Sequence, residues 1–368
     1  MAGFDEKLLY CVRVINQHTH WLDPLKASLG LTRLAENVVL AKSRGMTREE
    51  LECSANRHYV TDKLASLSAA GIDDPDVYVF LVENMGDIIA AEPISRLIKK
   101  LSPKCRLHWI VRSVFKEVVQ FNPYIDDVIE VKDFEAGSEL CDKKELEHGA
   151  VVVKCHLDGK GLPISHKIFR NPANPQLNEF NYLALDGLLS YYTISAGLPK
   201  IDESPIFHLA STVSCPINLP SKYMVIHCRA SEQSRDWGDD NWNELVERLT
   251  SNGWDIVEIG IQKVCTIKSN HYFDLTGRKS IQVLAGVIAN SVAFIGVDSG
   301  FAHIANAFKR PSVLIFGAYR GARDYHPYSG DFARSNAFVK VKPAKNQLAA
   351  SVPVEDILRT LYGLMTTA

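Results

Sequence analysis

The chain has 368 residues, 46% of them hydrophobic and 23% charged, with a formal net charge of −2 at pH 7. That is longer than one domain usually runs and points to two domains of ordinary globular composition. The near-zero charge argues against broad, sequence-independent nucleic-acid binding, so no nucleic-acid partner is expected.

In chain order, 1–72 read as a small helical extension. Apolar residues recur at three- and four-residue spacing over 25–42, Thr47-Arg48-Glu49-Glu50 makes a capped helix start, and 60–70 continue helically. From Val77 the pattern alternates. Strands are expected at 77–82, 106–111, 127–131 and 150–155, and helices at 88–101, 114–121 and 178–196, with 133–149 a polar connection. The first domain is thus 73–198, doubly wound and closed by Gly197-Leu198-Pro199. Pro199, Pro205, Pro216 and Pro220 mark 199–222 as a linker. A second domain, 223–352, starts with a strand at 223–228, then a helix at 240–252, a strand at 255–259 and a helix at 280–290. Pro353 opens a last helix, 353–368, a candidate to cross back to the first domain. Two Rossmann-like halves on a proline-bearing linker predict a ligand cleft between them.

Eight cysteines are scattered with no C-x-x-C pair, which suits reduced thiols rather than a disulfide framework or a zinc site. The chain opens without an apolar signal core and holds no membrane-length apolar run, so a cytoplasmic location is expected, with any membrane contact peripheral.

The most informative stretch is Phe294-Ile295-Gly296-Val297-Asp298-Ser299-Gly300-Phe301-Ala302-His303, followed by the apolar run Ser312-Val313-Leu314-Ile315-Phe316-Gly317. It reads as strand, turn, helix and strand, with a polar turn at the carboxyl end of its first strand, where open α/β sheets bind ligands. Asp298 or Ser299 can cap the helix, and the unpaired amides and dipole at its start suit an anion. His303 stands one turn beyond Ser299 on the same face. The plain alternative is a capping serine and a packed histidine. In the first half, Asn84-Met85-Gly86-Asp87 follows a strand in the same way: Asp87 is either a helix-start residue or a carboxylate able to take a proton from a hydroxyl. The polar loop from His227 to Trp237 carries Arg229 and Arg235, forked donors suited to phosphate, or else charges paired with Asp236, Asp239 and Asp240. Nucleotide-binding G-x-G-x-x-G and G-x-x-x-x-G-K-[ST] patterns are missing, as are H-E-x-x-H and G-x-S-x-G. Asp74-Pro75-Asp76 has metal-binding spacing, but its proline and position favour a turn.

Together these segments resemble glycosyltransferase family 9, the ADP-heptose:lipopolysaccharide heptosyltransferases. The match runs over about 77–345, through Asn84 to Pro93, Pro103 to Val111, Phe121 to Ile129, Arg235-Asp236-Trp237 with Asn241-Trp242, and Asp274-Leu275-Thr276-Gly277 to Gly317. The resemblance implies an α/β GT-B fold: two Rossmann-like domains facing a cleft, the first binding acceptor and the second a nucleotide-sugar donor. It implies an inverting reaction without a metal or other cofactor, the co-substrate being a donor such as ADP-heptose. Asp87 would be the catalytic base. Ser299, Gly300 and His303 would hold the donor diphosphate, Asp298 would shape the turn, Arg235 would replace a lysine that meets phosphate, and Gln262 would fall near the ribose. The acceptor would be a glycan, lipid-linked or protein hydroxyl, with peripheral contact at the inner membrane. The basic residues Lys154, His156, Lys160, His166, Lys167 and Arg170 belong to a stretch able to influence acceptor choice. Two alternatives stay open: a GT-B epimerase or hydrolase that converts the donor alone, and a non-catalytic nucleotide-sugar-binding protein.

Overall fold

The structure is a computed structural model that describes residues 46–156, 177, 181–215, 217–231, 235–277, 279–317, 326–334, 338–341 and 348–367. The expected helix over 25–42, Pro216, and Lys160, His166, Lys167 and Arg170 lie outside the described residues.

The amino-terminal helices are α1 (Arg48–Ser54) and α2 (Tyr59–Ala69). Thr47 starts α1 as expected: its hydroxyl accepts from Glu50 N at 3.3 Å, and the Glu50 carboxylate accepts from Thr47 N at 2.6 Å. Both helices dock on the first domain instead of forming a unit of their own. Leu51, Val60 and Leu64 are buried in its core.

That domain is a parallel sheet in the order β3-β2-β1-β4, made of β1 (Asp76–Phe80), β2 (Arg106–Arg112), β3 (Asp127–Val131) and β4 (Ala150–Lys154). Its helices are α3 (Met85–Ala90), α4 (Pro93–Leu101), α5 (Lys116–Val119), α6 (Phe134–Lys144) and α7 (Gly187–Ala196). The single helix expected over 88–101 is therefore two. Pro93 takes the first turn of α4, where its missing N–H costs nothing, and it cannot continue α3. The expected polar connection 133–149 contains α6, capped by Asp133 accepting from Ala136 N at 3.0 Å. Only Gly137 and Cys141 of α6 are buried, too thin an apolar stripe to stand out in the sequence.

The second sheet is also parallel, in the order β10-β9-β8-β5-β6-β7. Its elements are β5 (Met224–His227), α8 (Asp239–Ser251), β6 (Ile256–Gly260), β7 (Tyr272–Thr276), α9 (Ile281–Ala289), β8 (Ala293–Val297), α10 (Gly300–Ala307), β9 (Ser312–Ile315), α11 (Asp331–Arg334), β10 (Phe338–Val341) and α12 (Val354–Thr367). The inner strands β1, β5, β6 and β8 are almost wholly buried, as parallel strands covered on both faces require. Helix α12 does not cross back as expected. Its buried Val354, Ile357, Leu358, Leu361 and Leu364 join Trp237 and Trp242 in the core of the second domain.

The strand order reverses between β1 and β4 in one sheet and between β5 and β8 in the other, so each domain has its switch-point crevice at those carboxyl ends. The crevices face each other. One apolar cluster runs through both domains, and Gln282 at the start of α9 donates to Glu117 O of α5 at 2.7 Å and to His208 O of the linker at 3.2 Å. No helix among the described residues is long and apolar enough to cross a membrane.

Candidate functional site

A cavity of about 810 Å³ opens between the two crevices. Its floor on the second domain is the turn after β8. Asp298 and Ser299 lead into α10, and Ser299 sits at the cap position with extended backbone (φ −160°, ψ 172°). Its hydroxyl does not cap the helix, which corrects the plain reading of this residue. It hydrogen-bonds His227 Nδ1 at 3.0 Å instead, which leaves the first amides of α10 without a side-chain partner among the described residues.

His227 ends β5 and is buried. Burial pushes its pKa down to about 4, so it is neutral near pH 7 and can exchange a hydrogen bond with Ser299. His303, one turn into α10, is 4% exposed. Burial lowers its pKa to about 4, outweighing the opposing pull of Asp298 and Asp87, while His326 adds to the lowering. His303 Nδ1 is buried without a hydrogen-bond partner among the described residues, and its ring packs tilted against Tyr328 with centroids 4.5 Å apart. An unsatisfied buried nitrogen is costly.

The loop after β5 separates its two arginines by role. Arg229 pairs with Asp236 at 3.5 Å and Asp239 at 2.6 Å, as in the plain reading of that loop. Arg235 turns inward, donating to Asp298 Oδ2 and Asp298 O, each at 3.2 Å, and to Ser231 Oγ at 2.7 Å. Tyr328 completes the arrangement by donating to Asp298 Oδ1 at 2.8 Å. Asp298 therefore orients a cationic fork toward the turn, and its oxygens are already engaged by donors.

On the first-domain side of the cavity stands the start of α3. Asp87 Oδ2 accepts from Asn84 N at 3.2 Å, and Oδ1 accepts from the phenol of Tyr192 at 2.5 Å. Asp87 is thus a helix-start residue and a cavity-wall carboxylate at once. The two helix starts meet at a pair of glycines. A Cβ on Gly86 would lie 2.9 Å from His303 Cδ2 and 3.2 Å from Gly300 Cα, and one on Gly300 would lie 3.2 Å from Gly86 N. Only side-chain-free residues allow that approach, which puts the carboxylate of one domain beside the amide turn of the other.

Asp87, Arg235, Gln262, Asp298, Ser299, Gly300 and His303 all line this one cavity, together with His227 and Phe115. Gln262 is exposed at its rim and makes no hydrogen bond among the described residues. The sequence reasoning did not single out His227, Tyr192 or Tyr328. His227 carried a signal, a histidine closing the first strand of the second domain just before the arginine loop. The tyrosines carried none, since their partners are 105 and 30 residues away.

One group among the described residues has the proximity of a metal site: Cys228, Glu258 and Cys265. Glu258 already accepts from Val264 N at 2.7 Å, Cys265 N at 3.1 Å and Tyr272 OH at 2.5 Å, and burial pushes the Cys228 thiol up, against thiolate formation. These residues pin the turn that carries Gln262, and none of them lines the cavity.

Two domains of this topology, with a shared cavity at both switch points, define a GT-B fold. The family model for glycosyltransferase family 9 (heptosyltransferase) matches residues 192–333. Among curated proteins, lipopolysaccharide heptosyltransferase 1 of Campylobacter coli is 22% identical over 301 residues, covering 67% of this chain and 86% of its own length. Lipopolysaccharide heptosyltransferase 3 of Escherichia coli K12 is 24% identical over 163 residues, 37% of this chain, which spans only 47% of that relative. The solved structure of E. coli heptosyltransferase WaaC with ADP superposes with a TM-score of 0.56 at 15% identity, covering 78% of this chain and 99% of the other, a likeness of fold. Over these matched stretches the chain is similar to family 9 glycosyltransferases of the heptosyltransferase kind.

Proposed function

We propose that the chain transfers heptose from ADP-heptose to a hydroxyl of a lipopolysaccharide core glycan, with inversion and without a metal. The observation that carries this reading is the apposition at Gly86 and Gly300, which sets a carboxylate of one domain beside an anion-accepting turn of the other in one cavity. The nucleotide and sugar come from the names of the relatives, heptosyltransferases and one solved with ADP.

The chemistry follows from the placement. Asp87 takes the proton as an acceptor hydroxyl attacks the anomeric carbon, and ADP leaves with new negative charge on its β-phosphate. The α10 amides, Arg235 and a neutral His303 N–H are preorganised donors for that charge. A single direct displacement, with the hydroxyl attacking as ADP leaves and no sugar bound covalently to the protein, inverts the anomeric centre. Metal independence is supported by how the lining carboxylates are spent. Asp298 faces Arg235 and Tyr328, Asp236 faces Arg229 and Ala230 N, and Asp87 faces Tyr192. A cytoplasmic site of action, peripheral to the membrane that displays the acceptor, fits this substrate.

The test is a thermal-shift comparison of ADP-, GDP-, UDP- and dTDP-sugars, followed by transfer to heptose-deficient lipopolysaccharide. ADP-heptose is expected to stabilise the protein most and to turn over only when acceptor is present. Turnover of the donor alone would replace this reading with an epimerase or hydrolase, and binding without turnover would leave a binding protein. In the same assay Arg235→Ala is expected to weaken ADP binding roughly ten- to a hundredfold, the worth of one charge-assisted hydrogen bond. An unchanged ADP affinity would remove Arg235 from the donor site.

A further inference from the structure

We propose that Tyr192 is a positioning residue for the Asp87 carboxylate, held in place by a brace of helices from outside the nucleotide-binding half. The proposal rests on the reading of Asp87 as the base. Tyr192 is fully buried, and its phenol donates to Asp87 Oδ1 at 2.5 Å while the backbone of Asn84 donates to Oδ2 at 3.2 Å. The carboxylate is therefore gripped from two directions on its protein side. A base must present its lone pair within hydrogen-bond reach of the hydroxyl it deprotonates, so fixing its rotamer bears directly on rate. Burial and the neighbouring Asp87 charge both raise the phenol's pKa well above its ordinary value, so Tyr192 keeps its proton and stays a donor.

The mounting of Tyr192 is unusually thorough. Every residue of α7 is buried, and the ring of Tyr191 packs on that of Tyr192 with centroids 4.0 Å apart. The ends of α7 are tied to the amino-terminal helices. Arg48 of α1 pairs with Asp186 at its start, and Val60 N of α2 donates to Gly197 O at its end at 3.2 Å. Just beyond, Lys200 pairs with Glu52 at 3.0 Å. The matched family segment begins only at residue 192, so α1 and α2 lie outside it. The structure gives them a job: they hold the helix that aims the base.

The test uses the full chain, ADP-heptose and heptose-deficient lipopolysaccharide, with ADP binding and thermal melting measured in parallel. Tyr192→Phe is expected to lower kcat ten- to a hundredfold, with KM for the donor and ADP affinity changed less than twofold. It is also expected to move the acidic limb of the kcat–pH profile upward, because the ionised carboxylate loses a donor. Made in an Asp87→Asn background, Tyr192→Phe is expected to cost less than twofold, since its effect passes through the group already removed. A ring-fluorinated tyrosine at 192 keeps the shape, makes the phenol a stronger donor and is expected to move the limb downward, which decides the matter even where the phenylalanine variant folds poorly. A kcat within twofold of the parent, an equal loss in the Asp87→Asn background, or an unmoved limb with the fluorinated residue would overturn the positioning role. Near-parental transfer by Asp87→Asn alone would instead overturn the assignment of the base.

Discussion

Asp87→Asn lowers the transfer rate about a thousandfold while ADP binds within a few-fold of the parent, the scale at which positioned general bases contribute. The separation of effects comes from the architecture. Asp87 belongs to α3 of the first domain, whereas the amide turn, Arg235 and His303 belong to the second. An amide keeps the shape and one acceptor oxygen. If that oxygen keeps the Tyr192 hydrogen bond, the new NH2 group faces Asn84 N–H, where Oδ2 now accepts at 3.2 Å. Two donors then oppose each other at the start of α3, a loss of about 1 kcal/mol by analogy with other helix caps. The variant should therefore melt slightly lower, yet far less than its loss of activity would suggest. Rates from single-turnover mixing with labelled ADP-heptose, beside calorimetric ADP titrations, measure the two quantities separately. Transfer within tenfold of the parent would mean that another group takes the proton.

The candidate site was legible in the sequence where it is local and illegible where it is assembled. The turn at Asp298-Ser299-Gly300 sits beside the strand that delivers it, so apolar run, turn and helical spacing appear in one window. Asn84 to Asp87 shows the same sequence of signals. What spacing did not reveal is how these windows meet. The Gly86–Gly300 contact, the Tyr192 phenol on Asp87 and the Tyr328 phenol on Asp298 join residues from different elements, and nothing in their own neighbourhoods marks them. Ser299 shows the same limit in miniature: as a serine at a helix start it reads as a cap, and only the fold brings His227 close enough to claim its hydroxyl. In the fold, elements with a broad apolar face were readable. Helix α6, with two small buried residues, was not, and the apolar face of α12 gave no sign of which sheet it covers.

The second large effect is on stability in mild acid, and it comes from the same cavity wall. His227 and His303 are both buried, and burial lowers both pKa values to about 4 from an ordinary 6.5. Near pH 7 both are neutral in the folded and unfolded chain, and neither favours either state. Below pH 6.5 the unfolded chain takes up two protons that the folded one refuses, so stability falls with pH. The fall continues until about pH 4, where the folded imidazoles begin to protonate. Over that window each histidine removes roughly 3 kcal/mol, large against the 5–15 kcal/mol of a typical domain. The carboxylates act lower. For Glu92, burial raises the pKa but hydrogen bonds from His208, Arg96 and Ile206 N more than offset it, so its stabilising share is present above pH 4.5 and lost beneath it. Loss of stability between pH 6.5 and 4.5 therefore belongs mainly to histidines. Urea unfolding at pH 7.5, 6.0, 5.0 and 4.5 is expected to show a steep decline in the parent and a shallower one in His303→Gln, which removes one titrating group from the wall. Saturating ADP is expected to raise stability at each pH, because it binds the folded chain and not the unfolded one. Parallel slopes for the parent and His303→Gln would mean that His303 opens to water before the chain unfolds, and the wall would then be too loose to preorganise a diphosphate.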